Sequence, residues 1–155
     1  MFDSDKDNWS QNTSVFDERV KGKSCLYFIV EDTQNNKFGG YINATIQPPG
    51  NWTTDSNAFL FSLNSNGRLN GMYKFEITGY PQKAMYLNSK SDSNLFNFGS
   101  VVVQLSKENN KSNSFAGQYN HCYNYHGTTD SFLPGVSNHL FPNFTPKRIV
   151  VIQMK

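Results

Sequence analysis

Short apolar runs alternate with polar, turn-rich stretches along this chain. Leu26-Tyr27-Phe28-Ile29-Val30 is continuous, aromatic and β-branched, which predicts a strand buried on both faces. Asn35-Asn36 supplies a turn. Phe38-Gly39-Gly40-Tyr41-Ile42 resumes the pattern and Asn43 to Ile46 alternates, so a second strand pairs back as a hairpin. Glycine is disfavoured inside strands, so Gly39 and Gly40 predict a bulge or a close backbone approach. Pro48-Pro49-Gly50 ends this strand. Ala58 to Leu63 predicts a third buried strand. Met72 to Ile77 alternates, with Tyr73, Phe75 and Ile77 on one face and Lys74 and Glu76 on the wet side. Ala84 to Leu87, Leu95 to Phe98, Val101 to Leu105 and Ile149 to Ile152 read as further strands. Helix is expected only around Asn8 to Val20 and in Asp55 to Asn57. Phe28, Phe38, Phe59, Phe61, Phe75, Phe96 and Phe98 are assigned to the core. Many short strands separated by Gly, Pro and Asn turns predict a mainly β (α+β) fold, a two-sheet antiparallel sandwich flanked by short helices.

Composition narrows the function classes. A length of 155 residues predicts one domain spanning the chain, large enough to need no metal or disulfide staple. Charged residues make up 17% and aromatics 15%, so apolar area is sufficient to offset the entropy of ordering. A formal charge of +2 is too balanced for a phosphate-neutralising nucleic-acid binder. No apolar run reaches the ~20 residues of a membrane span. The polar start, Met1 to Ser10, predicts no signal peptide. A cytoplasmic monomer with free thiols at Cys25 and Cys122 is the corresponding expectation. Asn8, Asn12, Asn43, Asn51, Asn110 and Asn143 head N-x-S/T triplets, which an Asn-, Ser- and Thr-rich chain produces by chance.

Candidate chemistry is sparse. Asp3, Asp5 and Asp7 imitate the opening of a calcium loop, but Asn8 and Ser14 stand where that loop needs Gly and a bidentate Glu. An acidic lead-in to a helix is the plainer reading. His121, Cys122 and His126 offer zinc-type ligands, with Cys25 as the only candidate fourth group. A polar loop packed by Tyr119, Tyr123 and Tyr125 is favoured there. No nucleophile elbow, P-loop or dinucleotide fingerprint occurs. Asp55, Glu76 and Asp130 form a conceivable carboxylate set, which spacing alone does not establish. Trp9, Trp52 and Tyr80 lie in polar or Pro-flanked stretches, where an exposed ring anchors a sugar or a partner protein; Trp52 could equally cover one end of the sandwich. No catalytic, cofactor or metal residues are assigned.

These segments, in this order, resemble the TLDc domain of the eukaryotic oxidation-resistance proteins. The Ser/Asp-rich opening through Phe16, the strand Leu26 to Val30 and the following Phe38-Gly39-Gly40-Tyr41 carry the likeness. So do Trp52, the Phe59-Leu60-Phe61-Ser62-Leu63 strand, Phe98-Gly99 before a Val run, and the closing stretch Phe144 to Met154. Phe38, Gly39, Gly40, Tyr41, Trp52, Phe59, Leu60, Phe61 and Gly99 are the matching motif positions. Where many relatives carry Gly-Glu before the Phe-Leu-Phe strand, this chain has Ser56 and Asn57. Because that Glu has been suspected of activity, the catalytic reading weakens further.

The resemblance implies a two-sheet sandwich that binds proteins, is linked to oxidative-stress protection, and is not an established enzyme. Several relatives bind peripheral parts of the vacuolar proton-pumping ATPase, so its subunits are the expected partner. Two alternatives stand beside this reading: a carbohydrate-binding sandwich using Trp52, Tyr80 and the tyrosines at 119 to 125, or a thiol-dependent peroxide-handling enzyme using Cys25 or Cys122.

Overall fold

A computed structural model describes residues 1–100, 102–117, 122–128, 133 and 143–155. Among them, twelve strands form two six-stranded antiparallel sheets. The first sheet runs β1 (Phe2–Asp3), β12 (Pro146–Gln153), β2 (Leu26–Asp32), β3 (Lys37–Ile42), β5 (Phe59–Asn64), β6 (Tyr73–Glu76). The second runs β11 (Asn143–Phe144), β10 (Ser114–Ala116), β9 (Val103–Ser106), β8 (Asn94–Phe98), β7 (Met85–Leu87), β4 (Trp52–Thr53).

Strict alternation in β2 decides how the layers meet. Leu26, Phe28 and Val30 are buried, while Tyr27, Ile29 and Glu31 are half-buried. The apolar run is therefore buried fully on one face only, which corrects the expectation of a strand buried on both. Phe28 meets Phe96 at 5.2 Å and Phe98 at 5.5 Å between ring centroids, joining the two sheets. Gly40 lies beneath Phe98, and a Cβ there would come within 2.7 Å of the ring. The expected close approach is thus found at Gly40, whereas the register shift in β3 falls between Lys37 and Phe38.

The helix is shorter than the pattern predicts. Asn8 accepts from the Ser10 N–H and the Thr13 hydroxyl, and its carbonyl takes the Val15 N–H. These local bonds compete with helix, and Asn12 sits at φ +69°. Within Asn8 to Val20, only α1 (Phe16–Val20) is helical. It inserts Phe16 at the sheet junction, stacked on Phe96 at 5.3 Å and edge-on to Phe2 at 4.9 Å. Asp55 to Asn57 is a turn rather than a helix, because the Asp55 carboxylate accepts the Asn57 N–H and pins the chain locally. The extension Asn43 to Ile46 leaves the strand for the same reason, since Asp55 captures the Asn43 and Ala44 N–H groups at 2.6 and 3.1 Å.

A buried cation organises the neighbouring loop. Lys107 is 1% exposed, and its ammonium donates to the carbonyls of Ser89, Lys90 and Asp92, each at 2.7 Å. Burial lowers its pKa, opposed by Asp92 and Asp17. Three charge-assisted bonds offset the cost of taking the ammonium out of water.

Candidate functional site

The outer face of the first sheet is the least expected surface of this molecule. Opposed residues of an antiparallel pair point to the same side, so the strand registers assemble rows across the sheet. One row is Ile152, Tyr27, Tyr41, Phe59 and Glu76. The next is Val150, Ile29, Gly39, Phe61 and Lys74. Tyr27 lies 4.6 Å from Tyr41, and Tyr41 stacks on Phe59 at 4.9 Å. Phe61 completes the group at 6.0 Å from Tyr27. Gly39 makes that packing possible: a Cβ there would run into the Phe28 carbonyl oxygen and reach 2.9 Å from the Phe61 ring.

Phe59 therefore leaves the interior, contrary to the core assignment, while Phe61 is buried on the outer side of the sheet. Phe61 is buried but stands outside the continuous core cluster, and Phe59 is half-buried. The pattern alone sends both inward, because β5 places apolar residues on both of its faces. Leu60, between them, is buried in the core. Phe38 is likewise core, edge-on to Phe144 at 5.1 Å. Leu63 and Ile152, each 40% exposed, extend the apolar surface.

Charge borders this face on two sides. The Lys74 ammonium sits 4.4 Å above the Phe59 ring and 3.8 Å from Glu76. Glu76 also meets His126 Nε2 at 3.1 Å. Its carboxyl is held below the usual range by a backbone hydrogen bond first, with His126 and Lys74 adding to the effect. On the other side Glu31 pairs with Lys147 at 2.9 Å and Lys37 at 3.7 Å. Cys25 flanks the tyrosines, its thiol 3.8 Å from Asn43 Oδ1, which accepts the Tyr41 hydroxyl at 3.1 Å. Burial and then the neighbouring Cys25 raise the Tyr41 pKa. Cys25 directly precedes β2, at φ +55° and partly exposed.

The other candidate groups disperse. Arg148 gathers Asp3 at 2.7 Å and Asp5 at 3.1 Å, while Asp7 pairs with Arg19 at 3.1 Å. The acidic opening thus fastens the N-terminal segment to β12 and α1. The Arg148 hydrogen bond, aided by the Asp5 N–H, lowers the Asp3 pKa to about 2. Asp55 is buried and spends its oxygens on backbone N–H groups, whereas Glu76 faces outward from β6. Among the described residues, no group of three or more His, Cys, Asp or Glu side chains could hold a metal ion. Cys122, Tyr123 and Tyr125 are buried, and Tyr123 bridges Ile77 beside β6. Tyr119, His121, Asp130 and Val101 lie outside the described residues.

Trp52 belongs to β4, the edge strand of the second sheet, 5.1 Å from Tyr86. It is not a cap over one end of the sandwich. Trp9 is 5% exposed and joins the core, whereas Tyr80 is 53% exposed. Gly99 turns the chain after β8 at φ +61°, a conformation that favours glycine, and is packed by Val102 and Tyr123.

Strand order and layering define a two-sheet antiparallel β-sandwich. Residues 1–148 match the model of the TLDc domain, and the chain belongs to that family. No curated protein matches it. The TLDc family is linked to oxidative-stress protection and protein interaction. No described helix is long and apolar enough to cross a membrane.

Proposed function

We propose that this TLDc domain is a non-catalytic, cytoplasmic protein-interaction module that docks through the outer face of its first sheet. Its partner is a peripheral subunit of the vacuolar proton-pumping ATPase, and its part in oxidative-stress protection runs through that contact. One observation carries the reading: the half-buried row Tyr27, Tyr41 and Phe59 on the outside of the sheet. A solvated antiparallel sheet ordinarily places polar side chains there. Large rings that lose few rotamers on burial are what interface centres use, and a rim of paired charges sets orientation.

The test uses the full chain and the purified peripheral sector of the pump. Wild type should capture it. Tyr41→Asp combined with Phe59→Asp should weaken capture by about a hundredfold, since two interface anchors are each worth ~1–3 kcal/mol. Unchanged circular dichroism would separate this loss from unfolding. Capture that survives the double substitution rejects the face. Failure of wild type to capture the pump, with a working positive control, rejects the partner.

A further inference from the structure

The loop between β5 and β6 contains both Asn-Gly steps of the sequence, Asn66-Gly67 and Asn70-Gly71. Both asparagines are exposed, but they differ in what holds them. The Asn66 amide donates to the Gln34 carbonyl at 2.8 Å and to Asn36 Oδ1 at 3.0 Å. Asn36 is fully buried; its amide donates to the Asp32 carboxylate at 2.7 Å, and its oxygen also accepts from Arg68 at 2.8 Å. Asn66 is thus tied through Asn36 to the turn between β2 and β3. Among the described residues, neither the Asn70 side chain nor the Gly71 N–H makes a hydrogen bond. Gly71 is exposed at φ +87°, and a Cβ there would meet nothing within 4 Å. A glycine nitrogen also has no neighbouring Cβ to obstruct an approaching carbon. Gly67 is equally open, so the two steps differ in the asparagine rather than in the glycine.

We propose that Asn70 is a self-modification site, closing a succinimide with Gly71 that opens to isoaspartate, while its hydrogen bonds protect Asn66 from the same reaction. In the closure, the Gly71 nitrogen bonds to Asn70 Cγ and the Cγ–Nδ2 bond breaks. The side-chain nitrogen leaves as ammonia, taking the Gly71 amide proton. Water then opens the ring. Attack at the backbone carbonyl carbon gives isoaspartate, attack at Cγ gives aspartate, and nothing is oxidised or reduced. Closure at Asn66 must first break both of its amide hydrogen bonds, which raises the barrier. The products differ as well. A carboxylate at position 66 has no donor to offer and would face the two acceptor oxygens that the amide now serves. At position 70 the new charge stands in solvent, two residues from Met72, which is 75% exposed. The loop therefore shields the asparagine whose conversion would disturb the fold and leaves open the one whose conversion would not.

The experiment incubates the full chain in warm, mildly alkaline buffer, folded and, in parallel, in concentrated guanidinium chloride. Fragmentation mass spectrometry of peptides spanning Ser65 to Met72 assigns each amide-to-acid conversion to its residue. Methyl transfer from labelled S-adenosylmethionine by an isoaspartyl methyltransferase identifies isoaspartate. In the folded chain Asn70 should convert about tenfold faster than Asn66 or more, the effect of two ordinary hydrogen bonds on a barrier, with isoaspartate as the main product. In denaturant the two should convert at similar rates, because those bonds are gone. Asn70→Asp should melt with the wild type, and Asn66→Asp below it. Equal rates at the two positions in the folded chain overturn the proposal. So does a preference for Asn70 that persists in denaturant, a product free of isoaspartate, or a folded Asn70 that stays intact while the denatured one converts. None of these measurements involves capture of the pump, so this proposal and the docking reading fail independently.

Discussion

The two outer faces of this sandwich are built on the same pleat and finished differently. Across the first sheet the registers line up Tyr27, Tyr41 and Phe59 in one row and Ile29 and Phe61 in the next. Across the second they line up Trp52, Tyr86, Asn97, Gln104, Phe115 and Asn143. The second face breaks its rings apart with the amides of Asn97 and Gln104 between Tyr86 and Phe115. Rings dominate the first from strand to strand, with ion pairs only at its borders. Stability of the folded chain does not call for this difference, because both sheets already bury their inner faces against each other. The outward rings are therefore the part of the design that selection for folding leaves unexplained.

Substitutions on the two sides of the first sheet test this separation. Phe28→Ala empties a position wedged between both sheets and should cost about 3–5 kcal/mol in denaturant unfolding. Phe59→Ala on the outer side should cost about 1 kcal/mol or less, because its ring is already partly wet. Comparable losses would mean that the outer rings are structural after all. Gly39 and Gly40 divide the same way, one serving each face. Gly40→Ala pushes on the Phe98 ring and should cost about 1–3 kcal/mol. Gly39→Ala meets backbone as well as Phe61, so its loss of stability should exceed that of Gly40→Ala.

Acid provides a smaller effect at the border. The Asp3 carboxyl titrates at about 2 in the folded chain, below its ordinary 3.8. A depressed carboxyl stabilises the fold above its unfolded pKa, and that contribution fades as pH falls from about 4 toward 2. Glu31, lowered chiefly by the Lys147 hydrogen bond, acts in the same direction. Melting temperature should therefore drop progressively across that window, and less steeply in Asp3→Asn. An unchanged slope would show that the Arg148 contact is too well solvated to matter.

Much of the framework was legible because periodicity reports burial. The strands around Phe28, Phe75 and Phe96 stand where the pattern predicts, and the family resemblance in Phe38 to Tyr41 and Phe59 to Leu63 points to the right sandwich. Two-residue strands such as Phe2–Asp3 and Trp52–Thr53 are too short to leave a period. Ser114–Ala116 is equally brief. The outward ring face is hidden for a different reason. Phe59 and Phe61 carry the same apolar label as Leu60, and only register across neighbouring strands shows which side each ring takes. Lys107 is similarly opaque, since a lone lysine in a polar loop gives no sign of three carbonyls converging on it.

Synthesis order adds a consequence of the strand arrangement. β12 fills the slot between β1 and β2, so β2 keeps an open hydrogen-bonding edge until a ribosome has delivered residues 146–153. Pairings between segments so far apart in sequence form slowly. In the interval Leu26 to Val30 is an apolar, unpaired edge of the kind that recruits stray strands from other molecules. Newly made chains should thus lean on chaperones most heavily until β12 has emerged and paired, and truncations ahead of β12 should aggregate rather than merely loosen.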